Sequence, residues 1–98
     1  MSIEILRLRS GEDIMCDVLE MGSISYKVEN PAVVMPMGRD EAGVMRMALS
    51  PWMPYAVTTV FTIPFDFVVT TAEPTEDIEG SYAEMYGKII APKKQILM

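Results

Sequence analysis

Trp52 and Tyr55 stand in the stretch Ser50-Pro51-Trp52-Met53-Pro54-Tyr55, where two prolines hold two flat rings on one stiff loop. Rings fixed at little entropic cost are what stacking against a nucleobase requires. The alternative for both is packing at an interface between subunits, where aromatic residues are enriched. Tyr26 offers another ring and its neighbour Lys27 a cation for a phosphate, although strand alternation sends their side chains to opposite faces. A lone strand tyrosine equally suits a core or an interface. Arg39 and Arg46 are further cations able to meet phosphates, or simply solvated arginines.

Catalysis has much less to work with. Histidine is absent, which removes the commonest general base and the commonest metal ligand. Cys16 lies inside an apolar run with no basic neighbour to lower its pKa, so a buried, inert thiol is expected. Glu12 and Asp13 belong to a turn, and Glu76, Asp77 and Glu79 to a helix start, so neither group needs an acid-base or metal role. No metal-ligand or phosphate-loop spacing occurs, and no catalytic residue, metal or cofactor is expected.

Fourteen acidic residues against eight basic ones give a formal charge of −6. A ring of six such chains would total about −36, so any contact with a polyanion must be local. The 98 residues, half of them apolar, suit one domain with a small core, and burial between subunits would add to it. A single cysteine precludes an intrachain disulfide, and the start lacks the basic, then apolar, order of a secretory signal. No apolar run approaches a membrane span. A soluble cytoplasmic protein, with no membrane partner, is the expectation.

The elements that must position the rings are mainly strands. Residues 3–9 alternate apolar and charged from Leu6 onward, Ser10-Gly11-Glu12-Asp13 supplies a reversal, and residues 14–20 form the hairpin partner. Gly22-Ser23 makes a second reversal into a third strand beginning at Ile24, and Asn30-Pro31 marks a bulge or bend before residues 32–37 continue extended. Residues 38–43 suit an exposed hairpin loop before a fourth strand at 44–49. Pro64 suggests a break, leaving Phe65 to Thr71 as the best fifth strand. Thr75 caps a helix that Gly87 ends, with Ile78, Tyr82, Met85 and Ile89 on one stripe and Lys88 near its C-terminus. Ten methionines, including Met35, Met37, Met45 and Met47, suit core and interface gaps or an adaptable binding surface.

A small, five-stranded, strongly bent antiparallel barrel of SH3-like or OB-like kind over residues 3–73 follows, with one C-terminal helix over 75–87 and a short tail at 91–98. The string Leu6-Arg7-Leu8-Arg9-Ser10-Gly11-Glu12-Asp13-Ile14-Met15-Cys16-Asp17-Val18 resembles the first half of the Sm1 motif of the Sm/LSm-like (Hfq-like) family. Asn30-Pro31, the Pro51-Trp52 loop and the late Glu73-Pro74 before the helix are similar to features of the Sm-like proteins of marine cyanophages. The chain departs from the family at Gly22 and Tyr26, where an aspartate and an asparagine usually hold a uracil, and it lacks the arginine-glycine pair of Sm2.

The resemblance implies a homomeric ring in which strand four of one subunit pairs with strand five of the next, in the cytoplasm of an infected bacterium if the origin is a phage. Taken with the rings and cations above, it points to a noncatalytic subunit that binds single-stranded nucleic acid, RNA ahead of DNA, through Tyr26, Lys27, Arg39, Arg46, Trp52 and Tyr55. The competing expectation is an adaptor ring that docks another protein through its methionine-rich and Pro-Trp surfaces and touches no nucleic acid.

Overall fold

The computed structural model describes residues 2–87, and within them six strands precede one helix. These are β1 (Ser2–Leu8), β2 (Asp13–Met21), β3 (Ser25–Arg39), β4 (Met45–Pro51), β5 (Val60–Pro64), β6 (Val68–Ala72) and α1 (Glu76–Tyr86). The sheet runs β4-β3-β2-β1-β6, all antiparallel, and β5 joins the free half of β3.

Period-two alternation explains why both faces of β2 are covered. Ile14, Cys16 and Val18 join Leu6, Leu8, Val28 and Ile63 in one apolar cluster, whereas Met15 points the other way and joins Ala32 and Tyr82. Helix α1 seals that second cluster, laying Ile78, Tyr82 and Tyr86 against Ile3, Ile5, Val34 and Leu49. The expected helix is present, with Thr75 at the N-cap position but its hydroxyl making no cap hydrogen bond, and with Gly87 at φ 66° closing it in the left-handed conformation that glycine adopts without steric cost. Met85 is exposed, and Lys88 and Ile89 lie outside the described residues.

The bend at Asn30-Pro31 organises everything around it. Register slips where Met15 pairs with Ala32 but Asp17 pairs with Glu29, so β2 and β3 accommodate a bulge there. Asn30 takes φ 51°, a left-handed value that asparagine tolerates better than most residues. Beyond the bend the two edges of β3 diverge in use. Residues 25–29 pair with β5, and residues 32–39 pair with β4 to form a projecting two-stranded arm.

The five-stranded barrel expected from sequence is corrected to an open six-stranded sheet. Phe65 to Thr71 is not one strand. Residues Phe65–Phe67 form a 3-10 turn, because Pro64 has no backbone donor and two tertiary hydrogen bonds pull the turn apart in opposite directions. The Phe65 N–H donates to the Ile24 carbonyl at 2.9 Å, while the Phe67 carbonyl accepts from the Arg9 N–H at 2.8 Å. The chain is thereby carried from the β3 flank to the β1 flank, and β5 and β6 end as separate open edges. No described helix is long and apolar enough to cross a membrane.

Candidate functional site

The stiff loop between β4 and β5 folds back over the Asn30-Pro31 bend instead of standing free. The Trp52 N–H donates to the Pro31 carbonyl at 2.9 Å, and the Asn30 N–H donates to the Thr59 carbonyl at 2.8 Å. From the opposite face of the sheet, the Tyr82 hydroxyl donates to the carbonyls of Asn30 at 2.8 Å and Glu29 at 3.2 Å. The bend is therefore clamped between the loop and the helix.

Trp52 itself is half-buried. Its indole Nε1–H donates to Glu12 Oε1 at 3.3 Å, and its ring meets Phe61 edge-on with centroids 5.8 Å apart. Those two restraints fix the ring's attitude, an arrangement suited to a preformed surface. Between this loop, the bend and the end of α1 lies a shallow cleft of about 130 Å³, bordered by Asn30, Pro31, Trp52, Thr59, Phe61 and Tyr86. Burial raises the Tyr86 phenol above its ordinary range, so it remains a hydrogen-bond donor throughout neutral conditions. Three aromatic rings with amide and hydroxyl groups beside them can receive a flat, polar-edged ligand.

The structure spreads the other site candidates around the fold. Tyr55 lies at the tip of the loop and is 82% exposed. Tyr26 packs on the first apolar cluster and meets Phe65 in a T-shaped pair at 4.7 Å, while Lys27 is exposed on the far side of the strand. Arg39 and Arg46 belong to the β3–β4 arm, where Arg39 donates to the Gly43 carbonyl at 2.8 Å. Only Trp52 among the six borders the cleft. Asn30, Phe61 and Tyr86 were not singled out from sequence. They come from three separated segments that meet only in the fold.

A family model described as Sm_like domain matches residues 5–86, which takes in the sheet from Ile5 of β1 onward and the helix. The chain belongs to the Sm-like family. No curated protein matches it. In this Sm-like chain the first hairpin, over which the Sm1 resemblance runs, is held by a two-pronged ion pair. Arg7 Nε and Nη2 donate to the two Asp13 oxygens at 2.7 and 2.9 Å, and these hydrogen bonds hold the Asp13 carboxyl below the usual carboxylate range.

Cys16 is fully buried on the Sm-like sheet, and burial, reinforced by the charges of Glu4 and Asp17, pushes its thiol up to about 12 from an ordinary 9.0. A thiol with a raised folded-state pKa stabilises the fold below the unfolded pKa, and that contribution is lost as pH climbs toward the folded value. Tyr82 is raised in the same direction, first by burial. Stability is expected to fall by on the order of 1 kcal/mol per pH unit above pH 9 from the thiol. Urea midpoints taken through the alkaline range test this, and a flat profile to pH 11 would contradict it. At neutral pH the native thiol is expected to ignore a disulfide reagent until denaturant is added.

Proposed function

We propose that this Sm-like chain is a noncatalytic ring subunit that binds single-stranded nucleic acid, RNA in preference, at the cleft beside Trp52. The observation that carries the reading is a preformed aromatic cleft on a domain whose family is built for this kind of ligand. Tyr55, exposed at the loop tip, adds a second stacking surface, and Tyr26, Lys27, Arg39 and Arg46 remain subsidiary contacts.

The ring reading draws on the open edges. Strands β4 and β5 flank one side of β3, whereas β6 lies past β1 at the other side of the sheet. Two different edges facing opposite ways favour head-to-tail joining, which closes into a ring when the rotation permits. With the additional strand, the role expected for strand four passes to β5, which matches β6 in length at five residues each. Cytoplasmic residence, in an infected bacterial host if the chain is phage-encoded, is part of the same proposal.

Tyr55→Ala is expected to weaken oligoribonucleotide binding by roughly 5-fold to 100-fold without changing the melting temperature, since one stacked base is worth about 1–3 kcal/mol. Trp52→Ala should weaken binding as much and also lower the melting temperature, because its ring covers Phe61 and the first cluster. Fluorescence anisotropy over a salt series measures the first effect and calorimetry the second. Native protein that shows no salt-sensitive binding at low ionic strength would remove the nucleic-acid reading.

One observation favours the second reading, an adaptor ring for another protein. The β3–β4 arm exposes Met35, Met37, Val44, Met45 and Met47 together, on both faces of a two-stranded ribbon. Flexible thioethers suit promiscuous protein surfaces. The salt series separates the readings, since apolar docking through this arm strengthens rather than weakens as salt rises.

A further inference from the structure

The apolar face beneath helix α1 continues past the part that the helix covers. Val34 and Leu49 pack under it in the second cluster, and strand alternation carries the same face of β4 outward through Met47 and Met45, which are 44% and 41% exposed. Beside them the first turns of α1 leave a shallow groove of about 190 Å³, bordered by Met45, Met47, Thr75, Asp77, Ile78 and Ser81. Its apolar part is thioether and aliphatic carbon, a surface that adapts to side chains of varied shape.

The charge around this groove has one sign. Helix α1 carries Glu76, Asp77, Glu79 and Glu84 and no cation. Asp77, Ser81 and Glu84 fall at i, i+4 and i+7, so one carboxylate borders the groove and another follows on the same helix face. The macrodipole accounts for acids in the first turn but disfavours Glu84 in the last, so helix stability does not explain its presence. Among the described residues no cation borders the groove. Arg46 alternates to the opposite face of β4 from Met45 and Met47, and Arg39 donates to the Gly43 carbonyl at 2.8 Å. The described residues together hold fourteen carboxylates against five cations, a balance of −9, so a second copy of this chain would bring like charge to the groove. A polyanion is repelled for the same reason.

We propose that the groove between the β3–β4 arm and α1 docks a basic segment of another protein, its apolar side chains seated against Met45, Met47 and Ile78 and its lysines or arginines facing Asp77 and Glu84. This rests on the protein-docking reading above and adds to it a seat and a charge for the partner. It stands apart from the nucleic-acid reading, because groove and cleft share no bordering residue. Complementary charge makes the contact weaken as salt rises, opposite to purely apolar docking along the arm, and the sign of the ligand's charge separates it from an oligonucleotide.

The probes are a fluorescent synthetic peptide with leucine and lysine at amphipathic helical spacing and its counterpart with glutamate in place of lysine, titrated against the full-length chain at low and high salt. Native protein should bind the lysine peptide, more weakly at high salt, and leave the glutamate peptide free. Asp77→Asn with Glu84→Gln should weaken binding by roughly 2-fold to 30-fold at low salt, the worth of two exposed charge pairs. Glu20→Gln with Asp66→Asn, an equal loss of charge at residues that do not border the groove, should not. Met47→Ser should weaken binding about tenfold or more and Met47→Leu should restore it, with assembly mass, melting temperature and oligouridylate affinity unchanged. Native protein that binds both peptides alike overturns the proposal alone, and native protein that binds neither removes the protein-docking reading with it. A variant at Asp77 and Glu84 that binds no more weakly than the one at Glu20 and Asp66 overturns the proposal. Binding lost with Met37→Ser but kept with Met47→Ser overturns it too and leaves docking elsewhere on the arm. A shift in assembly mass with Met47→Ser gives the groove to a second copy, and a loss of oligouridylate affinity gives it to nucleic acid; either result overturns the assignment.

Discussion

Tyr82→Ala is expected to unfold this protein or bring it close to unfolding, with a loss of about 3–5 kcal/mol. Among the described residues no other side chain is as large and as fully enclosed, and it stands where helix, bend and second apolar cluster meet. Two contributions separate on substitution. Tyr82→Phe keeps the ring in its packing against Met15 and Ala32 but removes the hydroxyl from the carbonyls of Glu29 and Asn30, at a cost of about 1–2 kcal/mol. Because those carbonyls belong to the bend that borders the cleft, Tyr82→Phe should also weaken oligonucleotide binding although Tyr82 does not line the cleft. Denaturant titration and anisotropy on the same preparation check both parts. A phenylalanine variant of native stability would mean that the hydroxyl does not hold the bend.

The second large effect is expected at the edge of β5. Hydrogen bonds from Phe65 to Ile24 and from Asn30 to Thr59 set the phase of the β3–β5 ladder, so Phe61 and Ile63 bond inward and Thr62 directs its backbone groups outward. Thr62→Pro therefore spares the ladder inside the subunit and removes a donor from its open edge, a position where a strand accepts proline. At each interface this costs about 1 kcal/mol for the bond, and the pyrrolidine ring obstructs the neighbouring strand besides. Since a closed ring repeats the defect at every junction, the assembly should dissociate while circular dichroism and the melting transition of the subunit persist. An assembly of native mass carrying Thr62→Pro would place the junction elsewhere.

Much of this architecture is written locally. Gly11 and Gly22 stand at the reversals that frame β2, Asn30-Pro31 sits at the bulge, and Thr75 and Gly87 bound the helix as residue type alone suggests. The division of Val60 to Ala72 into two strands was less legible. Phe65, Asp66 and Phe67 have strand-like neighbours, and what turns them is a pair of hydrogen bonds to Ile24 and Arg9, residues more than forty positions away. One break hinted by Pro64 thereby becomes a change of flank, and the count of strands rises from five to six.

The site was legible in the same partial way. Trp52 could be picked out because proline-bounded aromatics are unusual in a chain with one tryptophan. Its partners could not, since Asn30, Phe61 and Tyr86 converge only after the sheet bends and the helix docks. Tyr26 shows the converse: its chemistry is right for stacking on a ligand, and in the fold that ring is engaged with Phe65 and the first cluster. A charge count over the whole chain also conceals how acidic the body is, because the basic residues that moderate it lie after Gly87.

The central claim is that the open flanks at β5 and β6 are completed by copies of the same chain. Light scattering of the native protein through a gel-filtration peak, repeated across a concentration series, measures this directly. The account predicts one discrete species whose mass is a whole multiple of 11.0 kDa, several subunits large and constant on dilution. A peak at the mass of a single chain, stable and folded at every concentration, would contradict it.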